Sequence, residues 1–180
     1  GGSWVGLFNF AAGYYSTMHT LSGRSTYGQS FTDGEHGYLL SDYAAEILRF
    51  RLADFTRSET LDIEKLDMSS MKPWGYEMSG LDTGFAYGRY GFVAAYGNVV
   101  ARFDLDDFTV SGVSMLPLDF RAFRAVLLHD GAFGYVMNST GLCVRFSLSD
   151  SSMAGVLIGV PAQAAIAIGG YAYFPPSFDR

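Results

Sequence analysis

Asp33-Gly34-Glu35-His36-Gly37-Tyr38 is a phrase that returns three times along the chain. It comes back as Tyr87-Gly88-Arg89-Tyr90-Gly91-Phe92, then as Asp130-Gly131-Ala132-Phe133-Gly134-Tyr135, and more faintly as Ile168-Gly169-Gly170-Tyr171-Ala172-Tyr173. A second phrase follows each of the first three: Ile47-Leu48-Arg49-Phe50-Arg51-Leu52, Val100-Ala101-Arg102-Phe103-Asp104-Leu105 and Cys143-Val144-Arg145-Phe146-Ser147-Leu148. Matching glycines lie 54 residues apart (Gly34 to Gly88), then 43 (Gly88 to Gly131), then 38 (Gly131 to Gly169). The repeated structural positions are therefore these four glycines, the arginines Arg49, Arg102 and Arg145, and the phenylalanines Phe50, Phe103 and Phe146.

A period of about 40–50 residues with short strands and Gly/aromatic signatures is the pattern of a propeller blade. The expected fold is all-β: a β-propeller-like array of about four blades in one domain, residues 1–180. The repeat units fall near 34–87, 88–130 and 131–168, with a split unit made of 169–180 plus 1–33. Leu7-Phe8-Asn9-Phe10 aligns with Arg102-Phe103-Asp104-Leu105, and both Trp4 and Arg180 fall opposite Leu142. Two arrangements fit: a small ring closed by the N- and C-terminal strands, or consecutive blades of a larger propeller.

Within each unit the apolar run after the glycine phrase (Tyr38-Leu39-Leu40, Phe92-Val93-Ala94, Tyr135-Val136-Met137) reads as an inner strand buried on both faces. A hairpin leads to the Arg-Phe phrase as the second strand. Thr60-Leu61-Asp62-Ile63, Val113-Ser114-Met115-Leu116 and Gly155-Val156-Leu157-Ile158 supply a third. Asp42 to Arg49 also has helical propensity, but Gly97-Asn98 and Gly141 in the sister units favour a hairpin there.

The bulk composition excludes several classes. The chain has 180 residues, 17% charged and 16% aromatic, with a net charge of −6. It has no basic stripe, so nucleic acid and anionic membranes are not expected partners. No apolar run reaches the ~20 residues of a membrane span; Ala154 to Ala172 is broken by Gly155, Gly159, Pro161 and Gly169-Gly170. The start, Gly1-Gly2-Ser3, points to a processed chain or a piece of something longer.

The phrases resemble a β-propeller repeat of large protist proteins, in which a D-G-x-Y-G-Y-F-V-P-Y element precedes a K-V-V-R-F-D-L-x-x-F element. Asp33-Gly34 with Gly37-Tyr38, Gly88 to Phe92, and Val100 to Thr109 carry the likeness. More distantly the chain is similar to NHL-like and YVTN-like propellers. The resemblance implies a propeller with a binding or scaffolding role and no catalytic residues. The Pro-Tyr of that pattern is missing from three units and survives only as Pro175-Pro176.

Candidate chemistry is sparse. His19, His36 and His129 form no HxH or HExxH motif. Asp33 and Asp130 precede glycines, as turn chemistry requires; a carboxylate pair facing one cleft would be the alternative. Asp104-Leu105-Asp106-Asp107 lacks the glycine and distant Glu of a calcium loop and reads as a solvated turn. Arg49, Arg102 and Arg145 suit contacts to a neighbouring blade. Cys143, at a position held elsewhere by Ile47 and Val100, reads as a small buried hydrophobe. Asn138-Ser139-Thr140 is an N-glycosylation sequon. It tips the expected compartment toward extracellular or organelle-lumenal rather than cytoplasmic. Phosphate-loop and nucleophile-elbow patterns are absent, and no cofactor is expected.

The function expected from these features is a non-enzymatic scaffold or interaction module, an accessory or structural subunit whose partners are protein subunits of a larger complex or glycans. The alternative is a carbohydrate-binding or glycan-hydrolysing propeller, with loop carboxylates and Trp4 or Trp74 facing a sugar.

Overall fold

The computed structural model describes residues 3–9, 14–21, 27–41, 45–54, 56–63, 80–95, 98–117, 125–158, 166–168 and 171–173. All regular elements among them are strands, apart from a short helical turn at Ile63. Three sheets have four strands each, joined antiparallel in chain order. The first holds β3 (Tyr27–Thr32), β4 (His36–Ser41), β5 (Glu46–Arg51) and β6 (Arg57–Asp62). The second holds β7 (Leu81–Tyr87), β8 (Tyr90–Ala95), β9 (Val99–Asp104) and β10 (Val110–Met115). The third holds β11 (Val126–His129), β12 (Phe133–Met137), β13 (Leu142–Ser147) and β14 (Met153–Ile158). Two further pairs stand as two-stranded sheets: β1 (Ser3–Asn9) with β2 (Tyr14–Leu21), and β15 (Ile166–Ile168) with β16 (Tyr171–Tyr173).

The all-β, repeated-sheet reading of the sequence is what the structure shows, with one correction. The strand after each glycine phrase is the second strand of its sheet, not the inner one. A strand precedes it in its sheet: β3, β7, β11 and β15. These first strands are innermost, since β7 lies against β3 on one side and β11 on the other, and β11 lies against β15. The hydrogen-bonded sheets therefore begin one strand earlier than the repeat units drawn from the glycines. The Glu46–Arg51 segment is a strand, so repeat context overrode its helical propensity.

Side-chain alternation builds a core on each face of the second sheet. Tyr38, Leu40 and Ile47 of the first sheet meet Leu81, Val93, Val99 and Phe103 of the second. Phe92, Ala94 and Val100, on the opposite face of the second sheet, meet Leu127, Val136, Val144 and Phe146 of the third. The second sheet is thus covered on both faces, which is why β8 reads Phe92-Val93-Ala94-Ala95 without a polar interruption. Each fully buried ring, such as Phe92, Phe103 or Phe146, contributes about 1.5–3 kcal/mol by removal from water.

Candidate functional site

Antiparallel order puts two turns of every sheet at one end of the array: the turn between strands one and two, and the turn between strands three and four. A backbone bond ties them together in each sheet: Leu52 N–H to Glu35 O (2.9 Å), Leu105 N–H to Arg89 O (2.8 Å) and Leu148 N–H to Ala132 O (3.3 Å). Binding groups concentrate on such loops when a rigid scaffold holds them, and this end carries most of the ionisable residues singled out in the sequence.

In the first turn, Asp33 and Asp130 do the same work. One carboxylate oxygen of Asp33 accepts the N–H groups of Glu35 (2.8 Å) and His36 (2.6 Å), and the other accepts the Tyr38 hydroxyl at 2.6 Å. Asp130 accepts from Ala132 (2.9 Å), Phe133 (2.8 Å) and the Tyr135 hydroxyl (2.6 Å). Gly34 and Gly131 follow at φ 99° and 97°, the left-handed region that only glycine occupies freely. The Tyr135 phenol, with the two turn N–H groups, holds Asp130 below the ordinary carboxylate value. Burial works to raise Asp33, and the same set of donors outweighs it. Burial and the Asp33 carboxylate push the Tyr38 phenol well up. The second sheet has a different turn: Tyr87 pairs directly with Tyr90, and the Tyr87 hydroxyl donates to Gly131 O in the third sheet at 2.6 Å.

The second turn repeats even more closely. Asp54, Asp107 and Asp150 each accept the N–H and hydroxyl of the residue two further on, Thr56, Thr109 and Ser152, at 2.6–3.1 Å. Phe108 (φ 53°) and Ser151 (φ 64°) take the left-handed conformation at matching places. Asp104 accepts from Arg89 Nε at 2.7 Å and from the Asp106 N–H at 2.9 Å. Burial works to raise its carboxyl, but the Asp106 N–H and the Arg89 guanidinium hold it low. Arg51 pairs with Asp54. The acidic run 104–107 is therefore a set of turn caps and one ion pair.

Two of the repeated arginines, Arg49 and Arg102, bridge successive sheets. Arg49 donates to Leu105 O of the second sheet at 2.5 Å, pairs with Glu59, and stacks over the Phe108 ring at 4.5 Å. Arg102 donates to Ser149 O of the third sheet at 2.6 Å and lies 4.6 Å from the Tyr90 ring centre. Arg145 stands over Phe133 at 4.6 Å. Phe50, Phe103 and Phe146 are buried. Gly88 forms its turn at φ 59°. Gly169 lies outside the described residues, between Ile168 and Tyr171, which pair with each other.

His36 sits 3.6 Å from Asp33, and His129 lies between Phe85 and Tyr87 at ring distances of 4.8 and 4.9 Å. Burial lowers the His129 imidazole, favouring its neutral form. His19 is on β2, opposite Val5. Among the described residues, no three His, Cys, Asp or Glu side chains are grouped to hold a metal. Cys143 is buried with Val126 and Met137, and burial raises its thiol. Trp74 lies outside the described residues, and of Trp4 only the strand position is described.

Asn138 is 2% exposed. Its side-chain oxygen accepts the Thr140 N–H (3.1 Å), the Thr140 hydroxyl (2.8 Å) and the Leu142 N–H (3.0 Å). The sequon is thus also a turn cap, which sequence reading missed. It also missed the Asp–Tyr–Arg grouping, in which Tyr38 pairs across strands with Arg49 and Tyr135 with Arg145. The signal was available: where Tyr87 replaces the aspartate, Phe92 replaces the tyrosine, so both partners of the bond disappear together.

Among the described residues no helix is long and apolar enough to cross a membrane. No protein-family model matches the sequence, and no curated protein matches it. The fold is similar to that of a solved β-propeller protein, the glutaminyl cyclase of Myxococcus xanthus, with a TM-score of 0.52 at 13% identity. The match covers 82% of this chain and 58% of that one, so this chain spans little more than half the length of that enzyme. At this identity the likeness shows the fold: an all-β array of propeller-type, four-stranded sheets.

Proposed function

We propose that the chain is a protein-interaction module, a propeller-type scaffold that docks a partner on the open face of its last sheet. The observation that carries this reading is the exposure of Tyr171 and Tyr173, 71% and 54%, side by side on one face of β16. Tyr38, which holds the place of Tyr173 in the first sheet, is fully buried beneath the following sheet. Large exposed aromatics on a flat strand mark a contact surface. The turn chemistry supports the same reading. Asp33 and Asp130, which a sugar-cleaving site would need as a free pair, are each engaged by their own turn.

Hydrogen exchange on the chain within its native-source assembly, against the isolated chain, tests this. Protection of 171–173 in the assembly is expected, and release of the chain by Tyr171→Ser with Tyr173→Ser. Equal exchange in both samples, with the chain free and unassociated in its source, would overturn the reading.

A further inference from the structure

We infer that the second sheet binds a carboxylate supplied from outside the chain, held by Arg102 and Ser151 in the place that Glu59 fills in the first sheet. The site lies where the second sheet meets the third. It is on a different sheet from Tyr171 and Tyr173 and does not depend on the reading given for them.

The first sheet shows what this position holds. Arg49 on β5 pairs across strands with Glu59 on β6, and the Glu59 carboxylate accepts from the Arg49 guanidinium. The same place in the second sheet pairs Arg102 on β9 with Gly112 on β10. In both ladders the register break stands directly beside this pair, so the two pairs are equivalent. The arginine is kept and the acid is gone. Among the described residues Arg102 bonds only neutral oxygens: Nε to Ser111 Oγ (3.1 Å), Nη1 to Ser149 O (2.6 Å) and Nη2 to Ser111 O (3.3 Å). A guanidinium carries more N–H groups than these bonds use, so Arg102 keeps both its charge and spare donors.

The missing side chain at Gly112 opens the space in front of these donors. A Cβ built there would stand 3.5 Å from Arg102 Nε, 3.5 Å from Arg102 Nη2 and 3.5 Å from Ser151 Oγ. A cation and a hydroxyl therefore face one point. Ser151 is 5% exposed, and its Oγ is buried without a hydrogen-bond partner. Leaving a buried hydroxyl unpaired is costly, and a ligand oxygen removes that cost. Two bonds hold Ser151 in position: its N–H donates to Ser147 O at 3.0 Å, and its carbonyl accepts the Ser114 hydroxyl of β10. The acid of the same turn, Asp150, is engaged by the Ser152 N–H and hydroxyl at 3.0 and 2.8 Å. A carboxylate matches the set: it takes paired N–H groups of a guanidinium and has lone pairs left for a third donor. Ser111 and Ser149, which flank Arg102, are exposed, so the site opens to solvent. It lies beside β10, the outer strand of its sheet.

The first test supplies the acid from within the chain. The Gly112 backbone lies outside the left-handed region, and its Cβ contacts are of ordinary length, so a side chain fits there. Gly112→Glu should melt about 2–4 °C above Gly112→Gln, and the difference should vanish in an Arg102→Met background. Equal melting of Gly112→Glu and Gly112→Gln overturns the inference. If those variants misfold, the unmodified chain decides. Acetate added at constant ionic strength should shift the NMR signal of the Arg102 Nε–H group to saturation, with chloride as the control anion. No shift, or the same shift with chloride, overturns the inference. An end-blocked Gly-Glu-Gly peptide then separates the sources of the carboxylate. A half-point several-fold lower than that of acetate supports the inference with an acidic side chain of a docked partner as the ligand. An equal half-point supports it with a free organic acid.

Discussion

The Phe146 ring lies directly on Gly134: a Cβ at that glycine would stand 2.1 Å from the ring's Cζ. The same relation joins Phe103 to Gly91 (2.2 Å) and Phe50 to Gly37 (2.3 Å), each a cross-strand pair. The repeated Gly of one phrase and the repeated Phe of the next are thus one contact. It fills the gap left by a missing side chain with a buried ring.

Gly91→Ala should therefore lower stability by about 3 kcal/mol, because the fully buried Phe103 has nowhere to move. Gly88→Ala meets nothing within 4 Å and is opposed only by its φ of +59°. It should lose about 1 kcal/mol. Urea midpoints of the two variants rank them, and equal losses would mean that the ring yields.

Arg49 should matter more than Arg102. Arg49 is 9% exposed and links Leu105 O, Glu59 and Phe108. Arg49→Met keeps the stem but leaves a buried carbonyl and a carboxylate without their donor, a loss of about 2–3 kcal/mol. Arg102 makes its bond to Ser149 O at an exposed site, where water can replace it, so Arg102→Met should lose about 1 kcal/mol. Thermal unfolding of both variants checks the order, and an Arg102 effect as large as that of Arg49 would contradict it.

The architecture was legible because the two phrases repeat where backbone geometry is strictest, at a left-handed turn and a ring-on-glycine contact. The first strand of each sheet was not legible. Tyr27–Thr32, Leu81–Tyr87 and Val126–His129 share no phrase, since each is fitted to the differing residues of its own neighbours near the centre. Arg49 and Arg102 were readable as cross-blade contacts, while their acceptors, being backbone carbonyls, leave no mark in sequence. The open face of β16 was invisible too, because Tyr171 and Tyr173 differ from Phe133 and Tyr135 in surroundings rather than in kind.

Tyr135→Phe should move the Asp130 carboxyl up toward its ordinary value of 3.8. The phenol is the main cause of the depression, followed by the N–H groups of Phe133 and Ala132. A carboxylate whose folded value is depressed stabilises the fold fully above its unfolded value, and that contribution is lost as pH falls through the folded value. Wild-type chain should therefore lose stability below about pH 4, and the variant should show a flatter acid limb there. At neutral pH the variant should be less stable by about 1 kcal/mol or less, given the exposure of the pair. A carbon-detected NMR titration of Asp130 reads the shift, and an unmoved midpoint would remove the phenol from the account.

Asn138 separates its two readings, sequon and turn cap, by chemistry. Its Oδ1 accepts three hydrogen bonds from Thr140 and Leu142 while the residue is 2% exposed. Asn138→Ala leaves those N–H groups unsatisfied beside the β12–β13 turn and should lose about 2 kcal/mol. Asn138→Asp destroys the sequon equally but retains an acceptor oxygen in the same place, so it should lose less than half as much. Thr140→Ala also ends the sequon and removes only the hydroxyl bond, a loss of about 1 kcal/mol. A glycan-dependent fold would instead show equal losses for all three in a glycosylating host and none in a bacterial one. Denaturation of the three variants from both hosts, with peptide mapping that finds Asn138 unmodified, is the expected signature of the cap.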